Sequence, residues 1–176
     1  MGIDPQDCRG TSDELVALLR AILGELDASG CRYALIHVGR SLDDAISSDV
    51  DIAFGGNPNE ILLPIILRLS KTHGARLIHC LHYEIPHGYY YVLGAPGVPD
   101  RFLHLDCLYD RLGVNRYRLP TCFLWEGAVP GPWGKQTRHE RMAVYLLMKR
   151  AIKGAASPEA IDVPAQRDLN RRREVR

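Results

Sequence analysis

The sequence has no excess of either charge. Its 22 Lys and Arg stand against 21 Asp and Glu, a formal net charge of +1. A balance that close argues against a broad surface that holds nucleic acid by charge, although a small basic groove stays compatible with it. No apolar run approaches the roughly 18 residues that read as a membrane span, so no membrane partner is expected. The first residues, "MGIDPQDCRG", lack the charged-then-apolar layout of a secretory signal. Cysteine is scarce and never spaced C-x-x-C. Cys8, Cys31, Cys80, Cys107 and Cys122 make an odd count, three of them in apolar runs of strand character. The expectation is buried free thiols in a reducing compartment, which places the protein in the cytoplasm. There is no internal repeat. "GPWGKQT" has the end of a phosphate-binding P-loop but not its start, because Val129 stands where the first glycine is required.

What is present suffices for one domain. Of 176 residues, 46% are hydrophobic, enough to build a core. Residues 13–28 carry Leu15, Leu18, Leu19, Ile22, Leu23 and Leu26 at helical spacing, with Ser12 as the expected N-cap and Gly30 as the stop. Strands are expected over 32–38, 49–54, 75–83, 88–94 and 101–108. A second helix is expected over 59–72, with Pro64 in its first turns and Ile61, Leu62, Ile65, Ile66 and Leu69 as the buried stripe. The stretch from Arg116 to Gly134 reads as a short hairpin and an exposed Gly/Pro-rich loop. A last helix spans about 137–153 and carries Met142, Tyr145, Leu146 and Lys149. Beyond it, residues 154–176 hold few large apolar side chains and read as a disordered or weakly helical tail, which leaves 1–153 as the domain. This order of elements predicts an α/β (α+β) fold, a mixed β-sheet with flanking helices.

The chemistry lies in "HVGRSLDDAISSDVDIAF". Asp49 and Asp51 stand two apart in a strand, so they share a face, while Val50 and Ile52 point the other way. Two unpaired carboxylates that close repel each other and raise each other's pKa, unless a cation lies between them. Magnesium suits that place, because it prefers oxygen ligands and keeps waters and substrate phosphates in its shell. Asp106 in "FLHLDCL" is a third acid in an apolar strand. If its strand lies beside that of Asp49, three carboxylates converge. That set is enough for two Mg2+ ions about 3.5–4 Å apart. Upstream, Gly39 ends a strand and a short helix begins near Ser41, a geometry that lets backbone amides approach a phosphate.

The pattern "VGRS…SDVDI…HLDCL" resembles the DNA polymerase β-like nucleotidyltransferase superfamily. The resemblance covers about residues 33–108, and "SDVDI" is its sharpest piece. "GYYYVL", "FLHLD" and "YLLMKRAIKG" also look like bacterial nucleotidyltransferase-like proteins of uncertain substrate. The resemblance implies a magnesium-dependent enzyme that moves a nucleoside monophosphate from a nucleoside triphosphate, such as ATP, to an acceptor hydroxyl and releases pyrophosphate. The acceptor, a small molecule or a macromolecule, stays open. The resemblance implies Asp49 and Asp51 as metal ligands, and Asp106 as the third carboxylate, bridging the metal or taking the proton of the attacking hydroxyl. It implies Gly39 and Ser41 facing the triphosphate. The superfamily has Gly or Ser directly after the first glycine, where this chain has Arg40; either Arg40 contacts a phosphate itself or the loop is degraded. The alternative is a regulatory module of the same fold that binds a nucleotide without turning it over.

Plainer roles compete for several of these residues. Ser41 can equally cap the short helix, with Asp44 completing a capping box. His104 shares a face with Asp106; it either satisfies the sheet or orients a carboxylate. Tyr90 points one way and its neighbours Tyr89 and Tyr91 the other, most of this being packing. Lys149 and Lys153 are either solvated or within reach of a phosphate.

Overall fold

A computed structural model describes residues 7–37, 49–82, 87–112 and 118–155. The chain runs α1 (Asp7–Ala28), β1 (Tyr33–His37), β2 (Val50–Phe54), α2 (Pro58–Thr72), β3 (Arg76–His82), β4 (Gly88–Gly94) and β5 (Leu103–Tyr109). It continues through β6 (Arg111–Leu112), β7 (Leu119–Pro120), α3 (Cys122–Trp125), β8 (Val129–Gly131), β9 (Gly134–Gln136) and α4 (His139–Ala155). Seven strands form one mixed sheet in the order β3-β4-β5-β2-β1-β9-β8, and β6 pairs with β7 apart from it. The fold is thus the mixed α/β arrangement that the element order predicts.

The apolar stripe of α1 is the one read from spacing: Leu15, Leu18, Leu19, Ile22, Leu23 and Leu26 are all buried. The helix starts earlier than expected, at Asp7, so Ser12 lies within it and does not cap it. Gly30 ends the turn after α1 at φ 69°, a left-handed conformation that costs a residue with a Cβ more. Asn57 caps α2 by accepting the Asn59 backbone N–H at 3.0 Å, and Pro58 occupies a first-turn position where no N–H is needed. Leu62, Ile65, Ile66 and Leu69 of α2 are buried, and Ile61 is half-buried.

The two faces of the sheet are divided by the period of the strands. Tyr33 and Leu35 of β1, Val50, Ile52 and Phe54 of β2, Tyr91 and Leu93 of β4, and Leu105 and Cys107 of β5 form the main core with α1 and α2. The intervening residues point to the other face. There Ile36, Ala53 and Leu108 pack with Leu124 of α3 and Tyr145 of α4 in a second, smaller core. Because alternate residues are committed to the main core, a slip of one residue would bury acids among leucines. Ile52 is fully buried at the centre of that core. Ile52→Ala is expected to cost about 3 kcal/mol of stability, read as a lower urea midpoint with an unchanged slope. A loss under about 1 kcal/mol would show that this face is not close-packed.

Over residues 118–134 the expected short hairpin is present, but the remainder is not a plain loop. The segment supplies α3, then the β8–β9 hairpin, and β9 lies parallel beside β1, with Leu35 opposite Gln136. The "GPWGKQT" run is therefore a hairpin turn and a sheet strand. The last helix starts at His139 and continues to Ala155; of the residues singled out on it Tyr145 is buried and Leu146 is 40% exposed. Of the described cysteines only Cys107 is buried; Cys80 is exposed, and Cys31 and Cys122 are intermediate, which corrects the expectation of uniformly buried thiols. The burial fails at Cys80 because β3 is an edge strand, most of whose residues face solvent. Among the described residues, no helix is long and apolar enough to cross a membrane. The tail from 156 onward lies outside the described residues.

Candidate functional site

The acids meet on the face that carries the smaller core. β2 and β5 run parallel, and their register sets Val50 opposite Leu105, Asp51 opposite Asp106 and Ile52 opposite Cys107. Neighbouring strands lie about 4.8 Å apart, so Asp51 and Asp106 stand side by side on one surface. β4 flanks β5 on the other side and sets Tyr90 opposite Asp106. Tyr90 thus shares the acid face, while Tyr89 and Tyr91 stack on each other on the opposite face. Asp49 immediately precedes β2, which begins at Val50, and its carboxylate is turned toward β4 and β5. Its Oδ1 accepts the Tyr90 hydroxyl at 2.9 Å and lies 3.4 Å from His104 Nδ1. The Tyr90 hydroxyl also lies 2.6 Å from His104 Nδ1.

A cation reaches the cluster from α4. Lys149 Nζ is 3.5 Å from Asp51 Oδ1, and Asp51 is only 13% exposed. At that distance the contact is an ion pair and not a short hydrogen bond. Lys149 also lies over the Tyr145 ring, 5.4 Å from its centroid. The start of α4 is anchored firmly. The Thr137 backbone N–H donates to Leu35 at 2.9 Å, Arg138 Nε donates to the Gly127 carbonyl at 2.8 Å, and Arg141 donates to the carbonyls of Phe123 and Glu126. Lys149 is thus delivered to the acids by a helix rooted in β1 and α3.

The electrostatics follow from this crowding. Asp106 is pushed up to about 7, first by burial and then by the Asp51 charge, while Lys149 pulls the other way. A hydrogen bond to Asp51 raises it further. Asp106 Oδ1 is buried and has no hydrogen-bond partner. Asp49 perturbs it least among these groups. Burial opposes the charge on Lys149, but Asp51, then Tyr145 and Asp106, more than offset it, and the net shift is upward. Tyr145 is pushed up to about 12, first by burial and then by Asp51.

The structure brings Asp51 and Asp106 together and places Asp49 on the same face, half-exposed and engaged with Tyr90. Gly39, Arg40 and Ser41 lie outside the described residues. Among the described residues, no group of three or more His, Cys, Asp or Glu side chains stands arranged to hold a metal ion. The donor chemistry at the Asp51–Asp106 pair nonetheless fits a hard divalent cation: two adjacent carboxylates, one with a buried oxygen that lacks a partner. Sequence reasoning left Tyr90 as packing and Lys149 as solvated or phosphate-reaching. Tyr90 had one legible signal, its strand parity opposite to Tyr89 and Tyr91; the contact of Lys149 with Asp51 crosses from helix to sheet and left none.

In a scan of known protein families no family model matches the chain, and no curated protein matches it either.

Proposed function

We propose that the chain is a nucleotidyltransferase, which moves a nucleoside monophosphate from a nucleoside triphosphate to an acceptor hydroxyl and releases pyrophosphate. The observation that carries this reading is the pairing of Asp51 with Asp106 in register on adjacent parallel strands, with Asp106 Oδ1 buried and unpartnered. Two such acids cannot both stay ionised side by side without a counter-charge. In this reading Asp51 and Asp106 hold Mg2+, and Asp49 completes the set. Bound magnesium would supply charge neutralisation on the phosphate oxygens and a template for in-line displacement.

The chain's own residues have separate tasks. Asp106 either shares the ion with Asp51 or takes the proton of the attacking hydroxyl at its carboxyl oxygen; its raised proton affinity belongs to the metal-free protein. Tyr90 and His104 fix the direction of the Asp49 carboxylate. Lys149, on α4 next to the acids, carries positive charge within reach of an approaching phosphate. The half-covered sheet face, with Tyr90, Val92 and His104 half-buried, is the open side from which an acceptor would arrive. Gly39, Arg40 and Ser41 remain the proposed triphosphate contacts. A cytoplasmic location belongs to the same proposal, and the free thiols of Cys31, Cys80, Cys107 and Cys122 accord with it.

The direct test is a thermal-shift panel of nucleoside triphosphates with and without Mg2+, followed by pyrophosphate release with candidate acceptors. Stabilisation that needs both nucleotide and metal, together with release, is expected. A second reading is a nucleotide-binding module without turnover. It is favoured by one observation: Asp51 and Asp49 already have internal partners in Lys149 and Tyr90. That reading predicts nucleotide binding with no release under any acceptor.

Tyr90→Phe isolates the positioning of Asp49, because it removes the hydroxyl and keeps the ring. Partners that orient a metal ligand are worth about 10–100-fold in affinity or activity. Half-exposure of Asp49 puts the expected loss at the low end, about tenfold in Mg2+ affinity by calorimetry. An unchanged affinity would remove Asp49 from the ligand set.

A further inference from the structure

We propose that Lys149 is the resting counter-ion of the acid pair: in the metal-free protein its ammonium takes the place of a divalent cation beside Asp51, and it withdraws when the cation enters. This rests on the magnesium reading above and adds a regulation of the same site. The argument starts from the cost of the empty arrangement. Asp51 is 13% exposed, so water screens it poorly, and its register neighbour is another carboxylate. Among the described residues, Lys149 is the one ion-pair partner of Asp51.

The lysine is also built to leave. Its ammonium is a compact point charge on a flexible four-carbon stem, so it can move without moving the helix. Its contact with Asp51 is a 3.5 Å ion pair, with no bidentate geometry to lock it. In the same position its ammonium also lies 5.4 Å from the Tyr145 ring centroid and interacts with the Tyr145 hydroxyl, a contact that does not depend on Asp51. The root of α4 is fixed by Thr137, Arg138 and Arg141, so the exchange needs a side-chain rotation and no rearrangement of the fold. A divalent cation brings twice the charge of the ammonium and can take both carboxylates at once, which gives it the advantage in the exchange.

Two measurements on the full chain test this, both apart from turnover. The first is Mn2+ binding, followed by the loss of the free-ion paramagnetic signal. Lys149→Gln is expected to bind Mn2+ about tenfold more tightly than the parent, while Lys149→Arg, which keeps the charge, is expected to stay near the parent. The second needs no variant. Acetylation of individual lysines is read by peptide mass spectrometry with and without saturating Mg2+. Lys149 is expected to react several-fold faster with Mg2+, while Lys135, paired with Asp27 at 3.3 Å, is the internal reference and does not change. Equal Mn2+ affinity in parent and Lys149→Gln, or Lys149 reactivity indifferent to Mg2+ while Mn2+ binds, would overturn the counter-ion role and leave the magnesium reading intact. Absence of Mn2+ binding from parent and variants alike would overturn both.

Discussion

Asp51→Asn is expected to reduce magnesium-dependent triphosphate turnover by about a hundredfold or more, while the melting temperature moves by no more than about 4 °C. The two halves of that expectation have different causes. Turnover falls because the amide keeps the shape of the side chain but loses the charge that would hold the ion, and a hundredfold is roughly 3 kcal/mol of transition-state stabilisation. Stability changes little because two effects oppose each other. The substitution leaves Lys149 without its ion pair, but that ammonium is 35% exposed and can turn to water. It also removes a negative charge that raises the pKa of Asp106. Pyrophosphate release and a thermal melt on the same preparation check both halves. Full turnover in the variant would sink the proposed function, and collapse of the fold would show that Asp51 is held for structure alone.

The second large effect is on the pH dependence of the metal-free protein. Asp106 titrates near 7 in the folded chain, raised first by burial and then by Asp51, against the pull of Lys149. In the unfolded chain an aspartate titrates near 3.9. Between those values the folded protein holds a proton that the unfolded chain has released. The contribution is therefore fully present below about pH 4 and is lost as pH rises through about 7, at no more than about 1 kcal/mol per pH unit. The groups that face Asp106 are Asp51 and Asp49 from β2 and its approach, Tyr90 from β4, and Lys149 and Tyr145 from α4. Asp106→Asn removes the titration, so its stability is expected to be flatter from about pH 5 to pH 8 and to exceed the parent's at the upper end. Urea unfolding of both proteins without metal measures this. Parallel curves would mean that Asp106 is ionised throughout, and its raised proton affinity would be refuted.

Much of this arrangement was legible before the structure, for a definite reason. The α1 stripe and the main-core residues of β2 and β5 follow periods of 3.6 and 2, and those periods belong to local backbone geometry. The same parity set Asp51 apart from Val50 and Ile52, and Tyr90 apart from Tyr89 and Tyr91. What parity cannot give is which strands become neighbours. That Asp51 meets Asp106 needed the parallel pairing of β2 with β5, and the resemblance of "SDVDI…HLDCL" supplied the idea where the residues alone left it conditional. A short hairpin was legible in the Gly/Pro-rich stretch, but not that β9 joins the main sheet, because β9 gains its place from β1, far back in the chain. Lys149 was ambiguous because a lysine on a half-exposed helix looks alike whether it faces water or an acid on a sheet beneath it.

The parallel pairing of β2 with β5 also bears on how the molecule assembles. β3, β4 and β5 are successive antiparallel strands, whose contacts close short stretches of chain. β2 joins β5 only after α2 and that meander have been bridged, and β9 joins β1 across most of the domain. Loop-closure entropy makes such distant pairings the slow steps, to be met before their contacts repay it. On that ground the carboxylate cluster is expected to form late in folding, with α4 docking after it, because the anchors of α4 lie on Leu35 and α3. A nascent chain that has not yet made its last helix holds the repelling acids with no ammonium beside them, so the order of synthesis sets when that repulsion is relieved.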